Sequence, residues 1–166
     1  MHTASVPDFD QSLMLPIPRS RWAPPDAPVT VDGIALAPKA ELHITLIGRR
    51  LANELRTTFE TAFLDTAIAT TFDACDWRFT RTGRYLLLCK PIPGQAVAHS
   101  IIERVELPAM APFHRHLGRL LGRELPVPPP HVTLYVAGRD RGIGVASDAA
   151  LRALQLRPVA AAELSG

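Results

Sequence analysis

Two short stretches constrain this chain more than any other part of it. Residues 41–48 read "ELHITLIG" and residues 128–136 read "PPPHVTLYV". Residues two apart on a strand point to one face. In the first stretch, Leu42, Ile44 and Leu46 therefore share a side, with His43 and Thr45 on the other. In the second, Val132, Leu134 and Val136 form the apolar side, opposite His131, Thr133 and Tyr135. Each stretch must bury one face and aim an imidazole and a hydroxyl away from it. Six His and twelve Thr scattered over 166 positions give only about 0.4 His–x–Thr tripeptides by chance. Two, both followed by Leu and both in alternating strands, point to one device used twice.

The surrounding chain reads as strands and helices divided by sixteen prolines, clustered at 16–28, 91–93, 108–112 and 126–130. "SLMLPI" and "VTVDGIAL" predict short strands flanking the loop "RWAPPDAP". Leu51, Leu55, Phe59 and Phe63 recur every fourth residue and predict a helix with that stripe in the core. "WRFT" and "RYLLLCK", separated by "RTG", predict a strand pair turning at Gly83. A helical stretch is expected from about Ala96 to Leu121, interrupted at Pro108 and Pro112. Ser147 or Asp148 can cap a short helix with Leu151 and Leu154 facing inward, and "LRPVAAAEL" supplies a last strand. Strands and helices mixed, with hairpin-like pairings, predict an α+β domain and not a wound parallel sheet. The order of lead-in, His–x–Thr–Leu strand, glycine loop and helix occurs in both halves, as an internal duplication would leave it.

Composition narrows the partners. Eighteen Lys+Arg against 16 Asp+Glu leave a formal charge of only +2, too little for a whole-surface grip on nucleic acid. No stretch has the apolar length of a spanning helix, and residues 1–20 lack the pattern of a secretory signal. Cys75 and Cys89 are too few for a disulfide scaffold and lie in no metal-type spacing. The expectation is one domain over 1–166, a cytoplasmic monomer with no membrane and no obligate protein partner.

Two imidazoles and two hydroxyls suit chemistry at a phosphodiester. With an ordinary pKa near ~6.5, one ring can be neutral while the other is protonated. The neutral ring takes a proton from water or a hydroxyl, and the charged one gives a proton to the departing oxygen. The Thr hydroxyls can donate to the non-bridging oxygens. That scheme needs no metal or other cofactor. "PKAELHITLIG" and "VPPPHVTLY" resemble the paired motifs of the two-histidine (2H) phosphoesterases, including the LigT-type RNA 2′,3′-cyclic phosphodiesterases. The resemblance implies a bilobal, pseudo-two-fold α+β fold, with two antiparallel sheets lining a central cleft and helices outside. It implies His43 and His131 as the catalytic pair, and Thr45 and Thr133 as the phosphate-holding residues. The substrate it implies is the 2′,3′-cyclic phosphate of an RNA end or nucleotide. Other cyclic nucleotides, cyclic oligonucleotides or ADP-ribose cyclic phosphate are the alternatives, and a non-catalytic nucleotide-binding module is the rival from another class. Which histidine is base and which is acid stays open in the sequence.

Four further residues are candidates for substrate contact. Tyr135 follows the second motif with the parity of its face, Arg84 and Tyr85 open a strand, and Trp22 lies in the proline loop. "HRH" at 114–116 fits a metal poorly, because residues two apart on a helix diverge, and reads as solvated histidines. "GRDRGIG" follows no phosphate-loop pattern and reads as a turn. His2 and His99 have no evident partner.

Overall fold

The computed structural model describes residues 5–165, which leaves His2 outside the described residues. The N-terminal half contains β1 (Leu13–Ile17), β2 (Val29–Val31), β3 (Ile34–Pro38), β4 (Leu42–Ile47), α1 (Arg49–Thr58) and α2 (Thr61–Asp73). The C-terminal half contains β5 (Thr80–Lys90), β6 (Ala98–Glu106), α3 (Met110–Leu121), β7 (His131–Ala137), α4 (Asp148–Leu154) and β8 (Gln155–Val159). The chain is α+β, and its strand pairings are antiparallel.

The strands expected in two sheets join into one of eight, in the order β1-β4-β7-β6-β5-β8, with the β2–β3 hairpin attached to β7 through β3. The junction is the pairing of β4 with β7, the two motif strands. Prolines fall where the ladder tolerates them: Pro16 and Pro158 lie in β1 and β8, the two edges of this order, where a missing N–H costs little. The β2–β3 hairpin turns on Asp32 and Gly33, both at positive φ (51° and 75°), as a tight Asp-Gly turn requires.

Three local expectations are corrected. The stripe from Leu51 to Phe63 does not lie on one helix, because α1 stops at Thr58 and α2 restarts at Thr61. The Thr57 and Thr58 hydroxyls turn back onto the carbonyls of Asn53 and Glu54, and two adjacent β-branched residues favour an end there. The core positions become Ala52, Leu55, Leu64, Ile68 and Phe72, while Phe63 is exposed. Second, "RTG" is no turn between two strands. It is a bulge inside β5, where the register jumps from Arg81↔Val105 to Arg84↔Arg104 and Gly83 takes φ 67°.

Third, residues 98–106 form a strand and not a helix. "AHSIIERVE" is buried along most of its length, so its apolar run carries no clean period to separate strand from helix. Pro108 marks the true boundary. Pro112 sits in the first turn of α3, where the helix needs no N–H, and Gly122 ends that helix in the left-handed region. The α4 expectation holds: the Ser147 hydroxyl accepts from the Ala150 amide at 3.0 Å, and Leu151 is buried.

The main core packs Ile44, Val132, Leu87, Ile101 and Val105 of the sheet against Leu55, Leu64 and Phe113 of α1–α3. A smaller core on the other face sets Leu88, Ala98 and Ile102 under Ile143, Val145 and Leu151. The motif side chains lie on this second face, away from α1–α3.

Candidate active site

The register of the junction decides the site. β4 and β7 pair antiparallel at Ile44↔Val132, both fully buried in the main core. One residue to either side, the same register sets His43 beside Thr133 and Thr45 beside His131. All four therefore emerge from the opposite face as two His–Thr couples around a local two-fold. Strand neighbours lie about 4.8 Å apart, so the four side chains share one small patch. They stand side by side on one sheet and not across a groove between two sheets. All four are half-buried.

The surroundings favour neutral rings and an anionic guest. Burial is the main cause lowering the His43 pKa, with Lys39 and His131 adding to it and Glu41 opposing. His131 is also lowered, chiefly by burial and further by Arg104, against the pull of the Pro129 carbonyl. His131 Nδ1–H donates to that carbonyl at 2.9 Å, so the neutral ring keeps its lone pair on Nε2. Lys39 Nζ donates to the Asp140 carbonyl at 3.0 Å, and Arg139 donates to the Gly142 carbonyl at 2.8 Å. These bonds pin the segment after β7 near the motifs. A recess of about 580 Å³ lined by Lys39, Val136, Gly138 and Arg139 lies on that side.

Gly142 shows how closely that segment approaches. A Cβ there would lie 2.7 Å from Thr133 Oγ1. Gly142→Ala is therefore expected to push the Thr133 hydroxyl off its position. Because misplacement by about 1 Å can cost on the order of 10²-fold, any turnover that uses the Thr133 hydroxyl should fall ten- to hundredfold while the melting temperature changes little. Parallel kinetics and thermal melts of the purified variant check this; unchanged kinetics would exclude a role for the loop in placing Thr133.

The four further candidates separate. Arg84 pairs with Arg104, which pairs with His131, so all three share the motif face. Tyr135 does not. The register passes from Ile102↔Thr133 to Ile101↔Tyr135, leaving Leu134 as an extra residue, and this bulge turns Tyr135 to the opposite side. There it joins Tyr85 and Trp22 around a recess of about 410 Å³ that also includes Arg81. Trp22 is buried, with the Arg81 guanidinium stacked 3.9 Å above its ring, and does not cap the motif face.

His114 is corrected as well: it is buried, and its Nε2–H donates to the Leu46 carbonyl at 2.7 Å, whereas His116 is exposed. The missed neighbours of the site are Lys39, Arg104 and Gly142. Arg104 became legible only once 98–106 was a strand, in which Ser100, Ile102 and Arg104 alternate onto the motif face. Among the described residues no group of three or more His, Cys, Asp or Glu is placed to hold a metal ion, and no helix is long and apolar enough to cross a membrane. No family model, curated protein or solved structure matches this chain.

Proposed function

We propose that this chain is a two-histidine phosphodiesterase that opens a cyclic phosphodiester, the 2′,3′-cyclic phosphate of an RNA end or nucleotide, with no metal in the chemical step. The observation that carries the reading is the Ile44↔Val132 register, which gathers both His–x–Thr motifs into one patch with two-fold character. That local symmetry also supports a bilobal 2H architecture, each half of the chain contributing one motif strand.

In the proposed reaction, His131 is the base. Its Nδ1 proton is committed to Pro129, which directs the Nε2 lone pair elsewhere, and Arg104 disfavours its charged form. Nε2 takes a proton from water as the water oxygen bonds to phosphorus. The phosphorus–oxygen bond to one ribose hydroxyl position breaks, and protonated His43 gives its proton to that departing oxygen. Thr45 and Thr133 donate to the non-bridging oxygens as their charge grows. Lys39 and Arg104 add positive potential beside the reacting group.

The reading is tested by turnover of the four nucleoside 2′,3′-cyclic monophosphates in EDTA. Hydrolysis to a single monophosphate isomer supports it. Nucleotide binding without turnover would instead identify a binding module, and loss of turnover in EDTA would exclude the metal-free scheme.

The two lowered imidazoles give the pH dependence a sign. The competent form holds one proton on the pair, so kcat/KM follows a bell bounded by the two apparent pKa values of the free protein. Both histidines titrate below the ordinary value of 6.5. The maximum should therefore lie on the acid side of 6.5, with kcat/KM falling by about tenfold per pH unit well above it. A profile from pH 4.5 to 8.5 checks this, and a maximum at pH 7.5 or higher would contradict the electrostatic account of the site.

A further inference from the structure

The motif face carries a charge pattern that the four motif residues do not use. Arg84, Arg104, His131 and Thr45 form one transverse row across β5, β6, β7 and β4, fixed by the registers Arg84↔Arg104, Arg104↔His131 and Ile44↔Val132. Two like charges directly opposite on neighbouring strands repel each other. Five arginines of the described residues are paired with acids, Arg56 with Asp65, Arg78 with Asp76, Arg81 with Glu103, Arg123 with Glu54, and Arg157 with both Asp32 and Glu163, so a missing carboxylate alone does not set a residue apart. Among the described residues neither Arg84 nor Arg104 has a carboxylate partner. Arg104 Nε is buried with no hydrogen-bond acceptor, a condition folded proteins rarely leave unmet. The one acid next to it in sequence, Glu103, points to the opposite face and is held by Arg81.

Two guanidinium groups side by side, one with an unmet donor, fit a phosphoryl group, whose oxygens accept several N–H bonds at once. We propose that Arg84 and Arg104 form a subsite for a second phosphoryl group of the substrate, beside the one that reacts at the motifs. The inference rests on the phosphodiesterase reading and narrows it. The substrate is a nucleotide carrying a phosphate besides its cyclic diester, either a 5′-phosphorylated nucleoside 2′,3′-cyclic phosphate or the end of an oligonucleotide. Arg84 lies two strand spacings from His131, about 10 Å along the sheet. Long side chains reach back over part of that distance, which suits phosphates separated by one nucleoside.

The test compares kcat/KM for adenosine 2′,3′-cyclic phosphate, its 5′-phosphorylated form, and the dinucleotide ApA ending in a 2′,3′-cyclic phosphate. Wild type is expected to prefer at least one of the two-phosphate substrates by tenfold or more. A 5′-phosphate preference identifies a terminal monoester, and a dinucleotide preference an internucleotide link. Arg84→Ala and Arg104→Ala should each reduce the preference to within threefold of unity. No preference in wild type, or a preference that survives both substitutions, overturns the subsite. Titration calorimetry with adenosine 3′,5′-bisphosphate and adenosine 3′-monophosphate on the doubly substituted His43→Ala, His131→Ala protein separates the two readings, since it needs no turnover. Tenfold tighter binding of the bisphosphate, lost on Arg84→Ala, supports the subsite even if no substrate is cleaved. Equal binding overturns it.

Discussion

His43→Ala and His131→Ala are each expected to lower kcat/KM on a nucleoside 2′,3′-cyclic phosphate by about 10²–10⁴-fold and to leave a folded protein. Both rings stand half-buried on the face away from α1–α3, so neither fills the main core. His43 makes no side-chain hydrogen bond among the described residues, and His131 makes one, to Pro129, worth about 1 kcal/mol. The double variant should be scarcely slower than either single one, because base and acid act in one step and their losses do not add. Thr45→Val and Thr133→Val remove donors to the developing charge and should cost up to about 10²–10³-fold each.

His114→Ala supplies the contrast. It removes the buried donor that ties α3 to the Leu46 carbonyl of β4 and should cost about 1–3 kcal/mol of stability. Its effect on kcat/KM should stay small at temperatures where the variant is folded. Activity assays paired with denaturant melts of all these variants check the pattern. Wild-type kinetics in folded His43→Ala or His131→Ala would falsify the two-histidine assignment outright.

What could be read from sequence follows what periodicity carries. The motif strands were legible because each buries one face only, so alternation separated Ile44 and Val132 from the histidines beside them. The start of α4 was legible because a Ser before an apolar-patterned stretch has a specific capping chemistry. β6 was not, because Ser100 to Glu103 is buried without a break and an apolar run of that kind has no phase. The two bulges were hidden for a different reason. An extra residue at Leu134 reverses the parity of everything after it, so alternation counted forward from His131 places Tyr135 on the wrong face. The bulge at Thr82–Gly83 inserts two residues, so it keeps the parity of Arg84 but shifts it along β6 to stand opposite Arg104. The cationic row thus depends on strand register, which no local pattern in "RTGRY" or "IERVE" discloses. The adjacency of the two motifs is also a tertiary fact, since 87 residues of chain separate Ile44 from its partner Val132.

Arg81→Ala should produce the largest loss of stability in the C-terminal half. Glu103 is fully buried, and Arg81 holds it through two hydrogen bonds, Nε to Oε2 at 3.0 Å and a terminal amine to Oε1 at 2.7 Å. The arginine is itself half exposed, so removing it strands the carboxylate and not the cation. An unpaired buried charge costs about 3–5 kcal/mol. The lower end applies here, because water can enter along the path the guanidinium vacates. For a chain of this size about 3 kcal/mol corresponds to a fall of roughly 6–12 °C in melting temperature. Removing the charge as well, in the Arg81→Ala, Glu103→Gln protein, should recover at least half of that loss. A loss below about 1 kcal/mol in the single variant would show that Glu103 is solvated without Arg81. The pair also connects stability to specificity. The Gly83 amide reaches the same carboxylate at 3.4 Å, and the Thr82 hydroxyl donates to the Arg104 carbonyl at 2.5 Å while accepting from the Arg84 amide. Glu103 and Thr82 therefore clamp the bulge that sets Arg84 opposite Arg104. A one-residue slip in β5 would send Arg84 to the other side of the sheet. If the clamp sets that register, Arg81→Ala should weaken discrimination for a second phosphate, though Arg81 itself lies on the opposite face.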